Sequence, residues 1–350
     1  MLQYAVKGPG ERAEAVEKPA PELTGREVLV RVERSGVCHS DVHCQDGYFD
    51  MGSAGRRALS SEWPAVFGHE IVGEVVATGP EASAEILGRS FIVFPWIGCG
   101  ACAHCLEGRE NYCPRGTIIS GSLDGGFADH VYVPDEKYLV DYAGIEPSRA
   151  ATLACSGVTA FSAVAKVLPA GPEDPIVVIG AGGLGLNAVA ILAARGHGNI
   201  VAVDRRAESL EFARKAGAHR TLEFREDQPA TQIAEALGED RAHGVVDFVN
   251  SGETAKAAFL SLRKGGTMVP VGLFGGEVTL PTVALPFGCQ TISGSFVGSQ
   301  PELEALVELV REGTLPEVPL NEQPMSEDTL NDALEALRAG TARGRTVLVA

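Results

Sequence analysis

The stretch VVIGAGGLG, residues 177–185, decides how the second half of the chain folds. β-Branched residues run into a turn where Gly180, Gly182 and Gly185 stand in G-x-G-x-x-G spacing, with Gly183 and Leu184 between the last two. Strand, tight turn and helix in that order let the backbone approach a pyrophosphate. The start of the helix adds unpaired N–H groups and a partial positive charge. The next apolar run, NIVAVD, ends at Asp204, nineteen residues after Gly185. A carboxylate there hydrogen-bonds a ribose 2′-hydroxyl and repels a 2′-phosphate, which favours NAD. Arg205 and Arg206 soften that preference, because a nearby guanidinium can accept the extra phosphate of NADP.

Ile176 to Ala194 carries no charged residue and is about as long as a membrane span. Its β-branched opening and its glycines fit a strand, turn and helix better than one helix, so no membrane partner is expected. From about residue 156 onward, PIVVIG, NIVAVD, GVVDFVN and GTMVPVGL read as buried strands, with helical patterns such as AESLEFARKAGA and TAKAAFLSLRKG between them. Alternation of this kind implies a doubly wound α/β domain with a parallel sheet and right-handed crossovers. Residues 1–155 differ: EVLVRVERSG, EIVGEVVATG, SFIVFPW and FADHVYVP are short β-type runs set between turn residues, the pattern of a mostly antiparallel β region. After about residue 297 come two more helical patterns and a last strand, RTVLVA.

With 350 residues, 45% hydrophobic and 21% charged, the chain has room for two sizeable cores and needs no disulfides. Its net charge of −17 argues against nucleic acid or an anionic membrane as a partner. The opening MLQYAVKGPGERAEAV lacks an apolar signal-peptide core, so a reducing cytoplasm is the expected setting for the cysteines.

Four of the eight cysteines, Cys99, Cys102, Cys105 and Cys113, fall in C-x2-C-x2-C-x7-C spacing. Four converging thiolates fit a closed tetrahedral zinc site. An iron–sulfur cluster is the rival reading, but the ferredoxin run closes with a spacing of three rather than seven. A site closed by four cysteines leaves no open position, so this zinc is expected to be structural.

Other candidates are scattered. CHSDVH supplies Cys38, Ser40, Asp41 and His43; GHE supplies His69 and Glu70; TLACSG supplies Cys155. Each alone has a bland reading as a small buried hydrophobe or a hydrogen-bonded core residue, and Cys44 and Cys289 keep it. Cys38, His69 and Cys155 together form a set of two cysteines and one histidine with a fourth position open, the donor set of a catalytic zinc.

On these residues the chain resembles the zinc-dependent medium-chain alcohol dehydrogenases. GHEIVGEVVATG, from Gly68 to Gly79, matches the signature G-H-E-x2-G-x5-G at every fixed position, and the cysteine spacing, CHSD and the glycine fingerprint follow in the family's order. The resemblance implies a GroES-like catalytic domain over 1–155 and 297–350, interrupted by a Rossmann NAD-binding domain over 156–296. It implies reversible hydride transfer between a primary, secondary or aromatic alcohol and NAD; another polyol or hydroxy-compound dehydrogenase is the alternative. It further implies two zinc ions per chain and a homo-oligomer, a tetramer rather than a dimer.

Carried over by position, Cys38, His69 and Cys155 would hold the catalytic zinc. Glu70 would be the carboxylate that can approach it, and Asp41 the partner of the liganding imidazole. Ser40 and His43 would form a proton relay, Thr159 would lie beside the nicotinamide, and Arg345 on a cofactor phosphate. Trp96 falls where a large side chain lines the substrate pocket. A nucleotide-binding zinc protein without turnover would not need Ser40, His43 and an open ligand set together, and a zinc-free reductase on this fold would lack the ligands. The stretch 46–66 departs from the family pattern, being long and placed near the expected pocket mouth. Arg89 stands where an Asp is common.

Overall fold

The computed structural model describes every residue except 60, 61, 229 and 343. Six strands form a parallel sheet in the spatial order Arg220–Glu223, Ile200–Asp204, Ile176–Ile179, Ala242–Asp247, Leu262–Pro270 and Thr291–Ile292. In chain order this is 3-2-1-4-5-6, the doubly wound arrangement that the strand–helix alternation predicts. Ile176–Ile179 pairs on both sides, with Val178 opposite Ala202 on one side and Val246 on the other. All four of its residues are buried, the reason it reads as an unbroken apolar run. The order reverses between Ile176–Ile179 and Ala242–Asp247. A crevice therefore opens beyond their carboxyl ends, at Gly180 and Asp247.

The apolar stretch that could pass for a membrane span is split into that strand and the helix Gly183–Ala194. Among the described residues no helix is long and apolar enough to cross a membrane. The helix is apolar on most of its surface because the sheet lies on one side and the helix Val158–Ala165 on another. TAKAAFLSLRKG does not stay helical to its end: the helix stops at Ser261, and Leu262 already pairs with Ala242. A register shift follows between Ala242 and Gly244, opposite the glycine pair Gly265–Gly266, which disfavours another helical turn.

The first sheet runs Leu139–Val140, Ser90–Val93, Glu70–Thr78, Val28–Gly36, Arg345–Val349 and Leu320–Pro324. Its pairs are antiparallel except the last, which is parallel. Val28–Gly36 is shared on its second edge: His130–Val133 pairs with its first half, and Arg345–Val349 with Arg34 to Gly36. Between the two sheets lies a helical segment, Pro147–Thr152, a π-helical turn Leu153–Gly157, and Val158–Ala165. One apolar cluster passes from Val30 and Val72 through Ala154 and Val158 to Leu186 and Val189. The segment thus joins both cores, and the edge of the β lobe faces the crevice of the parallel sheet.

Candidate active site

The helix His39–Asp46 begins at Cys38 with a reciprocal cap: Cys38 N–H donates to Asp41 Oδ2 at 2.8 Å, and the Asp41 backbone N–H turns toward the Cys38 side chain. This fixes the thiol at the tip of the helix. His69 comes from the turn preceding the strand Glu70–Thr78, and Cys155 from the π-helical turn, a backbone irregularity common at functional sites. The three ligand atoms lie within 4.8 Å of one another, and all three residues are buried. His69 Nε2 is 3.3 Å from Cys155 Sγ, and the two sulfurs are 4.0 Å apart. His69 Nδ1 faces Asp41 Oδ1 at 3.2 Å, which turns Nε2 toward the thiols. Asp41 Oδ1 also accepts the Gly68 N–H at 3.2 Å. The hydrogen bond shared with Cys155 lowers the Cys38 thiol well below its ordinary pKa and raises that of Cys155; the Arg345 charge reinforces the first effect. One thiol of the pair is therefore poised as thiolate, the form that binds a metal.

Ser40 Oγ stands beside this set, 3.1 Å from Cys38 Sγ and 3.3 Å from His69 Nε2. His43, one helical turn further on, is half-buried, with its ring 5.3 Å from Phe49 and 5.2 Å from His39. Burial, then the neighbouring His39, lower its pKa, so it is neutral at pH 7. Trp96 is buried between His69 and Phe296, 5.7 Å from each ring. The Thr159 hydroxyl is buried without a partner, an unused polar group for a ligand to meet.

Glu70 and Arg345 form a buried ion pair through Glu70 Oε1 and Arg345 Nη2. Glu70 Oε1 also accepts the Ser156 N–H at 3.2 Å, while Glu70 Oε2 and Arg345 Nε are buried without partners. The resemblance expects Arg345 on a cofactor phosphate, and Arg345 does line the groove, its stem against Gly183, its Nη2 held by Glu70 and its Nε left without a partner.

The four clustered cysteines also converge, with all sulfurs within 4.8 Å of one another. Cys102 Sγ lies 3.5 Å from Cys105 Sγ and 3.8 Å from Cys113 Sγ. A tetrahedron with Zn–S bonds of about 2.3 Å has sulfur–sulfur edges of about 3.8 Å, so the cluster fits one zinc. Arg115 donates to Cys99 Sγ at 3.4 Å and brings that thiol down to about 5. Burial raises Cys105 to about 12.

A groove of about 360 Å³ runs along the crevice of the parallel sheet, lined by Gly180, Gly182 to Gly185, Asp204, Arg205 and Arg206. A Cβ on Gly182 would meet no protein atom within 4 Å, so that face of the turn is open to a ligand. A Cβ on Gly185 would run into the Gly180 carbonyl, so Gly185 serves the packing of the turn. Asp204 secures the turn by accepting from Ala181 N–H at 2.8 Å and Arg206 N–H at 2.9 Å. Arg205 is paired with Glu226 at 2.8 Å. Arg206 donates across the groove to the carbonyls of Gly340 (2.9 Å) and Ala342 (3.3 Å), and to Ser209. Both guanidiniums are engaged, that of Arg205 by a carboxylate and that of Arg206 by two carbonyls and a hydroxyl.

Two residues at or beneath the groove, His39 and Asp247, escaped the sequence reading. His39, adjacent to Cys38, lines the groove with its ring 5.0 Å from Phe274; its place in CHSD was the available signal. Asp247 ends a strand at the switch point, fully buried. Its Oδ1 accepts Val249 N–H (3.0 Å) and Asn250 N–H (2.8 Å), while Oδ2 has no partner. Burial raises its pKa to about 6, with Asn250 N–H, the Thr254 hydroxyl and Val249 N–H opposing the rise. Thr254 is close enough to temper the charge, but its hydroxyl donates to Ser251 O at 3.3 Å. Within the run GVVDFVN this aspartate carries no distinguishing signal.

Comparison with known proteins agrees with this fold. The alcohol dehydrogenase GroES-like domain matches residues 24–143, and the zinc-binding dehydrogenase domain matches 183–312. The NAD-dependent alcohol dehydrogenase of Sulfurisphaera tokodaii is 35% identical over 95% of this chain and 94% of its own length. The crystal structure of the alcohol dehydrogenase of Aeropyrum pernix superposes with a TM-score of 0.90 at 29% identity, covering all of both chains. That of the D-arabinose dehydrogenase of Sulfolobus solfataricus gives 0.82 at 26% identity, covering 100% of this chain and 99% of the other.

Proposed function

The chain belongs to the zinc-dependent medium-chain alcohol dehydrogenase family, and from that membership we propose that it interconverts an alcohol and its aldehyde or ketone with NAD as hydride acceptor. The observation that carries the proposal is the convergence of Cys38, His69 and Cys155 from three separate elements, with the Ser40 hydroxyl beside them. Cys38, His69 and Cys155 would hold a zinc ion, which would supply a Lewis acid for the alcohol oxygen, with NAD as the hydride acceptor.

The chain's own side chains do the rest. Asp41 holds the His69 ring so that Nε2 faces the site. Ser40 Oγ would take up the proton that leaves the alcohol while giving up its own hydroxyl proton, and neutral His43 would be the base that accepts a proton on the solvent side. Glu70, clamped by Arg345, keeps a carboxylate near the ligand set. Thr159 offers its hydroxyl to the nicotinamide end of the cofactor, and Trp96 walls the substrate side. Asp204 selects NAD, a choice supported by the engagement of Arg205 and Arg206 elsewhere. Cys99, Cys102, Cys105 and Cys113 hold a second, structural zinc. The catalytic domain comprises 1–155 and 297–350, with the cofactor domain at 156–296.

The assembly is a homo-oligomer, a tetramer rather than a dimer. Supporting association, the edge strand Thr291–Ile292 and its neighbours expose Phe287 (77%), Val283 (55%) and Ile292 (42%). The protein is cytoplasmic; eight free cysteines fit a reducing compartment. The test is NAD reduction against primary, secondary and aromatic alcohols, with zinc quantified on the same preparation. Expected are two zinc ions per chain and turnover that a chelator abolishes. Turnover that survives complete removal of zinc would overturn the proposal.

A further inference from the structure

The unusual stretch after the helix His39–Asp46 folds into a hairpin of Tyr48–Asp50 and Arg56–Ala58, closed at its base by Leu59 N–H donating to Gly47 O at 2.9 Å. Its tip reaches the cofactor lobe. Ser53 donates to Glu277 Oε2 from both its backbone N–H (3.2 Å) and its Oγ (2.7 Å). Gly275 approaches Asp50 so closely that a Cβ on it would meet the Asp50 carbonyl oxygen at 2.9 Å. Behind the hairpin lies a cavity of about 780 Å³.

One chain of ring contacts joins this cavity to the ligand set, and a second contact joins it to the relay histidine. Phe49, on the hairpin, lies 5.3 Å from His43. Phe296, on the opposite wall, lies 5.7 Å from Trp96, which is itself 5.7 Å from His69. With Met51, Leu273 and Val278, these rings make the wall largely apolar. The charged groups on the lining are Arg57, Asp50 and Glu277, one cation against two carboxylates, so the cavity has no net positive charge for an anionic substrate.

We propose that the hairpin 48–58 is the substrate-selecting wall of the active site, held over it by the Ser53–Glu277 clasp, and that it selects bulky uncharged alcohols of arylalkyl size over two-carbon ones. The inference rests on the dehydrogenase reading above. A two-carbon alcohol at the ligand set touches neither Phe49 nor Phe296 effectively, whereas an arylalkyl alcohol fills the space between them. Each buried methylene is worth about fourfold in an equilibrium constant. If half of the six added ring carbons of 1-phenylethanol find wall contact, the preference is on the order of 60-fold. Glu277 acts through the hairpin and is a positioning residue.

The experiment measures kcat and KM with NAD for ethanol, 1-phenylethanol and its para-carboxylate, using zinc-loaded wild type, Phe49→Ala and Glu277→Ala. The wild type is expected to favour 1-phenylethanol over ethanol by at least about 50-fold in kcat/KM, and over the carboxylate as well. Phe49→Ala and Glu277→Ala should each reduce the first ratio about tenfold, through KM for the bulky alcohol more than through kcat. The melting temperature of Glu277→Ala should stay at the wild-type value, which separates positioning from a general loss of structure. Ethanol matching 1-phenylethanol, or an unchanged ratio in both variants, overturns the inference and leaves the dehydrogenase reading intact. No NAD reduction with any alcohol overturns both.

Discussion

Asp247 is a buried carboxylate whose ionisation costs stability, and the size of that cost follows from its surroundings. Its pKa rises from 3.8 to about 6 because burial outweighs the hydrogen bonds it accepts. That rise corresponds to about 3 kcal/mol of preference for the protonated form in the folded chain. A carboxyl raised on folding contributes stability in full below its unfolded pKa, and the contribution is lost as pH rises through about 6. Roughly half of the 3 kcal/mol disappears between pH 5 and pH 8. Asp247→Asn keeps an Oδ1 acceptor for Val249 and Asn250 N–H but cannot titrate. Urea unfolding of both proteins, followed by circular dichroism at several pH values, isolates the effect because other titrations are common to the pair. The stability of the wild type relative to the variant should fall by about 1.5 kcal/mol from pH 5 to pH 8. Parallel curves would refute the assignment. Asp247→Ala also removes the cap on the turn whose Asn250 donates to Gly272 O, so it should raise KM for NAD severalfold.

The two sulfur sites should separate cleanly. Cys102→Ser is expected to lose about one zinc per chain and to melt at lower temperature, since metal binding there is folding energy, whereas Cys38→Ser should fold and bind NAD but lose most turnover; metal content, melting and activity on the same samples decide it. Gly182→Ala should melt like the wild type and raise KM for NAD at least about tenfold, because its new Cβ enters open groove. Gly185→Ala should fold poorly, its Cβ colliding with the Gly180 carbonyl; equal melting of these two variants would contradict the distinction. Asp204→Gly should narrow the preference for NAD about tenfold without reversing it, because Arg205 stays with Glu226 and Arg206 with Gly340 and Ala342; kinetics with both cofactors would expose a reversal.

What the sequence revealed about this molecule depended on how local the signal was. The strand, turn and helix around Gly180 to Gly185 are written in nine consecutive residues, and the central strands Ile176–Ile179 and Ile200–Asp204 are buried apolar runs, whereas the edge strands Arg220–Glu223 and Thr291–Ile292 are not and carry no such signal. Cys38, His69 and Cys155 are far apart in the chain, yet their residue types restrict what they can do together. Side chains whose partners are remote were opaque. Arg345 shares no local pattern with Glu70, 275 residues away, and the position of Arg206 gives no hint of the carbonyls at 340 and 342. Asp247 looks like any strand residue until its orphaned oxygen is seen. The hairpin 48–58 has no alternating pattern, because its fold depends on the loop at 275–277 rather than on its own apolar spacing. The end of the helix at Ser261 was missed for a related reason: leucine and lysine favour continued helix, and pairing with Ala242 overrides them.

Arg345–Val349 lies in the interior of the first sheet, between Val28–Gly36 and Leu320–Pro324, and its Thr346 carbonyl accepts the N–H of Val37, the residue before Cys38. During synthesis this has an unavoidable timing. Strands 28–36 and 70–78 can pair early, but the place beside Gly36 stays vacant until more than 300 further residues have emerged. The parallel sheet and its crevice can form in that interval, so a growing chain carries a completed cofactor lobe attached to an open-edged metal lobe. That exposed edge is the segment on which a nascent chain would depend for chaperone cover, and tags or truncations at the 345–349 strand would reach Cys38 through a single backbone hydrogen bond.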